Sequence, residues 1–385
     1  MNRRDFLNGL GAAAVTAFAP GAAFAQRAGA SYERLLVLVE LKGGNDGLNT
    51  VVPYADPAYA RLRPRLAVPR DQVLQLDQQT GFHPALEPLM ASWQGRELAV
   101  VQGVGYPGAN LSHFRSIDIW DTASNSNEYL TDGWLARAFA AAPAPATFAA
   151  DAVVVGGAEM GPLRGGVRAI ALASPEQFLR QARYAAPAGQ ARNAALQHIL
   201  RVEENIAQAA ARLNGNRAFA AEFPAHPFGN AVRTAAQLVA GEAGIAAVKI
   251  ALGGFDTHSG QPGRHAQLLK ALAEGLAALK LALVELGRWD STLVMTYSEF
   301  GRRPRENLSS GTDHGTASAH FLLGGRVKGG LYGSPPALSR LDGNGNPQFA
   351  VDFRDLYATV LERWWGVDPA RALKGRFSPL DAIRA

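Results

Sequence analysis

Apolar runs that end in glycine-rich turns bearing acids or histidines are what most restrict the folds open to this chain. Leu35–Val39 leads into Gly43-Gly44-Asn45-Asp46-Gly47, and Ala246–Leu252 into Gly253-Gly254-Phe255-Asp256-Thr257-His258. Leu293–Tyr297 leads into Ser298-Glu299-Phe300-Gly301, and a fourth turn reads Thr312-Asp313-His314-Gly315. Continuous apolar runs rich in Val, Ile and Leu read as strands buried on both faces of a parallel sheet. Leu98–Val101, Ala152–Val155 and His320–Leu323 read the same way. Helical patterns lie between them. The clearest places Leu268, Leu272, Leu276, Leu279, Leu283 and Leu286 on one face, opened by Pro262 and Gly263 and closed by Gly287. Others cover roughly 188–212 and Phe353–Leu361, the latter ending near Gly366. Strands alternating with helices imply a doubly wound, mostly parallel α/β sheet with helices on both faces. Ligands bind at the carboxyl ends of such strands, so the turns should share one rim.

The first 25 residues stand apart. Arg3-Arg4-Asp5-Phe6-Leu7 reads as a twin-arginine signal, an alanine-rich apolar stretch follows, and Ala23-Phe24-Ala25 is an A-x-A cleavage site. Pro20 and Gly21 interrupt the apolar stretch, which is short for a membrane span. Cleavage after Ala25 leaves residues 26–385 as one α/β domain, with 175–243 a mainly helical insertion or cap and Ala140–Thr147 a surface loop. The expected partner is the twin-arginine export machinery, and the destination is the periplasm or beyond, with no stable membrane span after cleavage. This route carries folded proteins, often loaded with a cofactor. The chain has no cysteine, so disulfides and thiolate ligands are excluded. A divalent metal would take oxygen and imidazole ligands, which admits zinc, manganese, magnesium or calcium. The net charge of +5 is mild, and no basic run is interleaved with aromatics, so nucleic acid is not an expected partner. A weakly basic surface suits a small anionic substrate.

Asp46 can cap its own Asn-Asp-Gly turn or reach a metal. Asp256 and His258 are two apart, so in an extended segment they face one side and can share an ion. Glu299 can be a ligand, or an ion-pair partner of Arg302, Arg303 or Arg305; a free arginine there, or Arg115, would bind an anionic ester oxygen. Asp313 and His314 sit among small polar residues, as in an active-site loop. His320 starts an apolar run and reads as a buried, satisfied histidine before it reads as a ligand. Ser112 is placed to cap the helix that follows, or to act as a nucleophile at its N-terminus. His113 can contact substrate or metal. His83, His198, His226 and His265 have no motif around them. Gly103-Val104-Gly105-Tyr106-Pro107-Gly108 matches G-x-G-x-x-G, but Pro107 and the later cap at Ser112 make it a loop, not a dinucleotide turn. No G-x-S-x-G, P-loop or H-E-x-x-H occurs.

These pieces together resemble the twin-arginine-exported bacterial proteins grouped as domain of unknown function 1501. They are Leu41-Lys42-Gly43-Gly44-Asn45-Asp46-Gly47-Leu48-Asn49-Thr50, Ser112-His113-Phe114, Asp132-Gly133-Trp134-Leu135, Gly254-Phe255-Asp256-Thr257-His258, Ser298-Glu299-Phe300-Gly301-Arg302 and Thr312-Asp313-His314-Gly315. The family is similar in turn to the alkaline phosphatase and sulfatase superfamily. The resemblance implies an alkaline-phosphatase-like core holding one or two divalent metals. It implies Asp46, Asp256, His258, Glu299 and His314 as ligands, Ser112 as nucleophile, and Arg302 or Arg115 opposite the transferring group. His113, Asp313 and His320 are additional candidates. Phe300 occupies the place where the superfamily carries a second-metal histidine. The expected activity is hydrolysis of phosphate or sulfate esters; the alternative is a binding protein on a degenerate hydrolase scaffold.

Overall fold

The computed structural model describes residues 30–172, 217–241 and 244–384. The signal segment with Ala25 and the helix expected near 188–212 lie outside these residues. Fourteen strands follow one another in the described chain. The first seven are β1 (Leu35–Lys42), β2 (Val51–Val52), β3 (Leu74–Gln75), β4 (Gly81–Phe82), β5 (Leu98–Gly105), β6 (Ala150–Val155) and β7 (Ala169–Leu172). Then come β8 (Ile245–Gly253), β9 (Thr292–Tyr297), β10 (Gly301–Glu306), β11 (Thr312–Gly315), β12 (Ser318–Leu323), β13 (Gly330–Gly333) and β14 (Val351–Asp352).

Nine of them form one sheet in the order β13-β5-β12-β9-β1-β8-β6-β7, with β14 also paired to β5. Every pairing is parallel except those of β12, which runs against both β5 and β9. The sheet is therefore large, mixed and mostly parallel. β1 lies at its middle because both its neighbours shield it: Val39 pairs with Ile250 on one side and Thr296 on the other. Its side chains alternate between two cores. Val37, Val39 and Leu41 pack with helices Pro227–Ala240 and Gln261–Glu285. Leu36 and Leu38 pack with helices His113–Thr122, Trp134–Ala141 and Phe353–Ala358. Both faces are covered, which is why the strand runs are apolar at every position.

Gln261–Glu285 shows how sequence becomes packing. Leu269, Leu272, Leu276, Leu279 and Leu283 are buried along one stripe, while Leu281 and Val284 face out. Each buried leucine contributes roughly 1.5–3 kcal/mol. Glu40 of β1 and Lys249 of β8 break the apolar pattern; both are buried and pair at 2.7 Å, as enclosed charges must. Of the stretch 175–243, helix Pro227–Ala240 is described, and its apolar face packs in the core layer with Val37 and Val39. The glycine pattern at Gly103–Gly108 is strand end and turn, and the next helix starts only at His113. Among the described residues, no helix is long and apolar enough to cross a membrane.

Candidate metal centre

β8, β1 and β9 end side by side, and the turns that leave them meet. Gly43 has φ +114° and Gly44 φ +77°, values that glycine adopts without strain. A Cβ on Gly43 would lie 2.4 Å from the Asp256 backbone nitrogen, so the turn after β1 packs directly on the turn after β8. β12 is antiparallel, so its beginning lies at this rim. The hairpin of β10 and β11 precedes it and delivers Asp313 and His314 there. Helix His113–Thr122 brings His113 in its first turn.

One atom each of His113, Asp256 and His314 lies within 4.8 Å of the others. His258 joins them. Its Nε2 is 2.9 Å from His314 Nε2 and 3.1 Å from Asp256 Oδ1. His314 Nε2 is 3.2 Å from Asp256 Oδ1, and His113 Nε2 is 3.4 Å from Asp256 Oδ2. The His258, His314 and Asp256 donor atoms are 2.9–3.2 Å apart, close to the roughly 3.3 Å between ligands around a tetrahedral ion with 2.0–2.1 Å bonds.

The far nitrogens of the rings strengthen the case. His314 Nδ1 is 2.7 Å from the Leu111 carbonyl, which can only accept. His113 Nδ1 is 2.8 Å from Glu299 Oε1, and His258 Nδ1 is 3.4 Å from Asp313 Oδ1. Three acceptors thus face the Nδ1 atoms and turn the three Nε2 atoms toward one carboxylate. Metal-binding histidines are commonly held this way from behind. Arg302 Nη2 donates to Asp256 Oδ1 at 2.8 Å. Burial pushes the Asp256 carboxyl up, but Arg302 and the histidines outweigh it and bring it down to about 2. His314 is shifted down, chiefly by burial.

Several residues expected as ligands stand one step back or elsewhere. Asp46 is fully buried and outside the group: Arg63 donates to both its oxygens, at 2.6 and 3.0 Å, and Gln261 to Oδ2 at 2.5 Å. It also caps helix Gly47–Thr50. Burial raises its carboxyl, yet the Arg63 charge wins and holds it below the usual range. Glu299 Oε1 accepts from the Gly43 nitrogen at 2.8 Å, and Oε2 from Ser298 at 3.2 Å, so it supports His113 rather than facing the cation. Asp313 accepts from Asn307 at 3.1 Å and stands behind His258. Arg302 is buried and bonded to the carbonyls of Gly43, Gly44, Phe255 and Thr312, which leaves it a positioning residue, not a free anion site. Arg115 pairs with Asp118 at 2.5 Å and donates to three carbonyls. His320 is buried beside Trp120 with neither ring nitrogen bonded; it is neither a ligand nor satisfied. Ser112 is exposed at the N-cap of its helix, and its hydroxyl makes no cap bond.

A family model described as "Protein of unknown function (DUF1501)" matches residues 67–377. The chain belongs to the DUF1501 family. Among solved structures, this DUF1501 protein is similar to the C-terminal periplasmic domain of EcEptC from Escherichia coli. That pair has 12% identity, 91% of each chain covered and a TM-score of 0.41. It is also similar to the phosphonate monoester hydrolase SpPMH from Silicibacter pomeroyi, at 12% identity, 89% and 75% coverage and a TM-score of 0.38. A TAB5 alkaline phosphatase matches at 11% identity, 78% and 94% coverage and a TM-score of 0.35. No curated protein matches.

Sequence reading did not find Arg63, because Leu62-Arg63-Pro64 carries no motif, yet its guanidinium decides what Asp46 does. It did flag Phe300. That ring is 4.3 Å from His314 and 4.9 Å from His113, so a phenyl group fills the space beside the two imidazoles.

Proposed function

We propose that the protein is an exported, metal-dependent hydrolase of phosphate or sulfate esters. The observation that carries this is the set of three imidazoles, each anchored at Nδ1, with Nε2 turned to Asp256. His113, His258, His314 and Asp256 would hold the ion. Three imidazoles favour zinc or another transition metal over magnesium or calcium. Such an ion supplies Lewis acidity toward an ester oxygen. The chain's own residues supply the rest. Ser112 offers an uncommitted hydroxyl at the N-terminus of a ten-residue helix, where backbone N–H groups favour an anion. Glu299 and Asp313 face Nδ1 of His113 and His258, and Arg302 fixes Asp256.

A second reading has its own support. Phe300 fills the neighbouring space, and Arg302 and Arg115 are both committed within the protein. These favour a metal-bearing binding protein without turnover. Metal analysis followed by assays on 4-nitrophenyl phosphate and 4-nitrophenyl sulfate separates the two. Hydrolysis lost at least a hundredfold in Ser112→Ala and in His258→Ala supports the enzyme. One bound metal per chain with no hydrolysis supports the binding protein. Turnover that survives both substitutions overturns the assignment of the site.

A further inference from the structure

Beside the histidine group, along the outer flank of helix His113–Thr122, lies an open surface cleft of about 530 Å³. Phe114 and Tyr129 line it and are 90% and 78% exposed. Only Leu308 is more exposed among the large apolar side chains of the described residues. Phe114 is open to solvent, and the Arg115 guanidinium lies 3.9 Å from the Tyr129 ring centroid, which leaves the opposite face of that ring for contact.

The inner end of the cleft is polar and incomplete. Arg115 Nε and Asp121 Oδ1 are both enclosed, and neither has a hydrogen-bond partner. Asp121 is 8% exposed. Leaving such atoms unpaired costs roughly 1–3 kcal/mol each. Burial holds the Asp121 carboxyl well above its ordinary value. Asn110 adds an amide. The charges here are largely spoken for: Arg115 and Arg164 share Asp118, at 2.5 and 2.7 Å.

We propose that this cleft binds a sugar ring of a glycan, with the C–H face of the ring on Phe114 and Tyr129 and its hydroxyls toward Asp121, Arg115 and Asn110. A sugar hydroxyl both donates and accepts, which the two unpaired atoms require. A purely apolar ligand would leave them unpaired. A nucleic-acid backbone needs uncommitted cations. An extended peptide needs an open strand edge, and the walls here are helix and loop. The site depends on no turnover at the metal group, and its test does not either.

Cellohexaose, chitohexaose and hexagalacturonate are titrated calorimetrically into the native protein, with and without prior chelator treatment. Saturable binding of at least one, unchanged by chelation within twofold, is expected. Phe114→Ala and Tyr129→Ala should each weaken it at least tenfold, Phe114→Ala with the melting temperature unchanged because that side chain is exposed. Asp121→Asn should weaken it as well and keep the shape of the side chain. No saturable binding by any of the three sugars overturns the proposal, and so does undiminished affinity in the Phe114→Ala/Tyr129→Ala double variant.

Discussion

His320 lies on β12 with no exposed surface, 5.4 Å from the Trp120 ring, and burial alone drives its pKa from 6.5 to about 3. The folded-state pKa lies below the unfolded one. The neutral ring therefore contributes stability that is full above pH 6.5 and is lost as pH falls toward 3. Between pH 7 and pH 4 the loss should be roughly 3 kcal/mol. His320→Leu should remove that part of the acid sensitivity, read from urea unfolding at the two pH values. An equal loss in native protein and variant would show that the ring is not what titrates. Asp46 and Asp256 make the complementary point. Each is an acid after a glycine pair, and each meets an arginine. Arg63 takes both oxygens of Asp46, whereas Arg302 takes one of Asp256 and leaves the carboxylate facing three imidazoles. No local spelling distinguishes them.

Between elements, the β10–β11 hairpin decides whether the histidines meet. Its first strand reads Gly-Arg-Arg-Pro-Arg-Glu, charged and containing Pro304, and so carries no strand signal; pairing with β11 alone defines it. The hairpin rests against the turn after β8. Asn307 donates to the His258 carbonyl at 2.9 Å, and a Cβ on Gly311 would lie 2.2 Å from the His258 carbonyl carbon. Backbone cannot yield by that much. Gly311→Ala should therefore push His314 and Asp313 away from His258. Zinc affinity should fall at least tenfold, with a stability loss of roughly 1–3 kcal/mol. Competition titration with a chromophoric chelator reads the affinity; an unchanged value would mean that the hairpin does not set the group.

For the whole molecule, the metal group ties together a helix start, the turn after β8 and the hairpin, elements far apart in the chain. A cation that binds only this folded arrangement stabilises it by about 4 kcal/mol at a thousandfold excess over Kd. Chelation should lower the melting temperature, and zinc or manganese should restore it. His258→Ala and His314→Ala should melt at one temperature with or without metal. A native protein whose melting temperature ignores both chelator and metal would rule out a tightly held ion. The antiparallel β12 also belongs to this scale. Its composition is that of any buried strand, and only its place between β5 and β9 sets its direction.

The apolar runs by themselves determined the six principal strands, the two-sided burial of the sheet and the rim where function should lie. Such information is local, because a continuous run of Val, Ile and Leu can only be buried on both faces. The tertiary structure alone decided which polar residues of that rim face one another. Ligand and support roles depend on partners up to 259 residues apart, as Gly43 and Arg302 are. A carboxylate joins a metal group only where no arginine has already taken its oxygens. That is why Asp46 left the expected set, whereas Glu299 and Asp313 stand behind the group because His113 and His258 turn Nδ1 toward them.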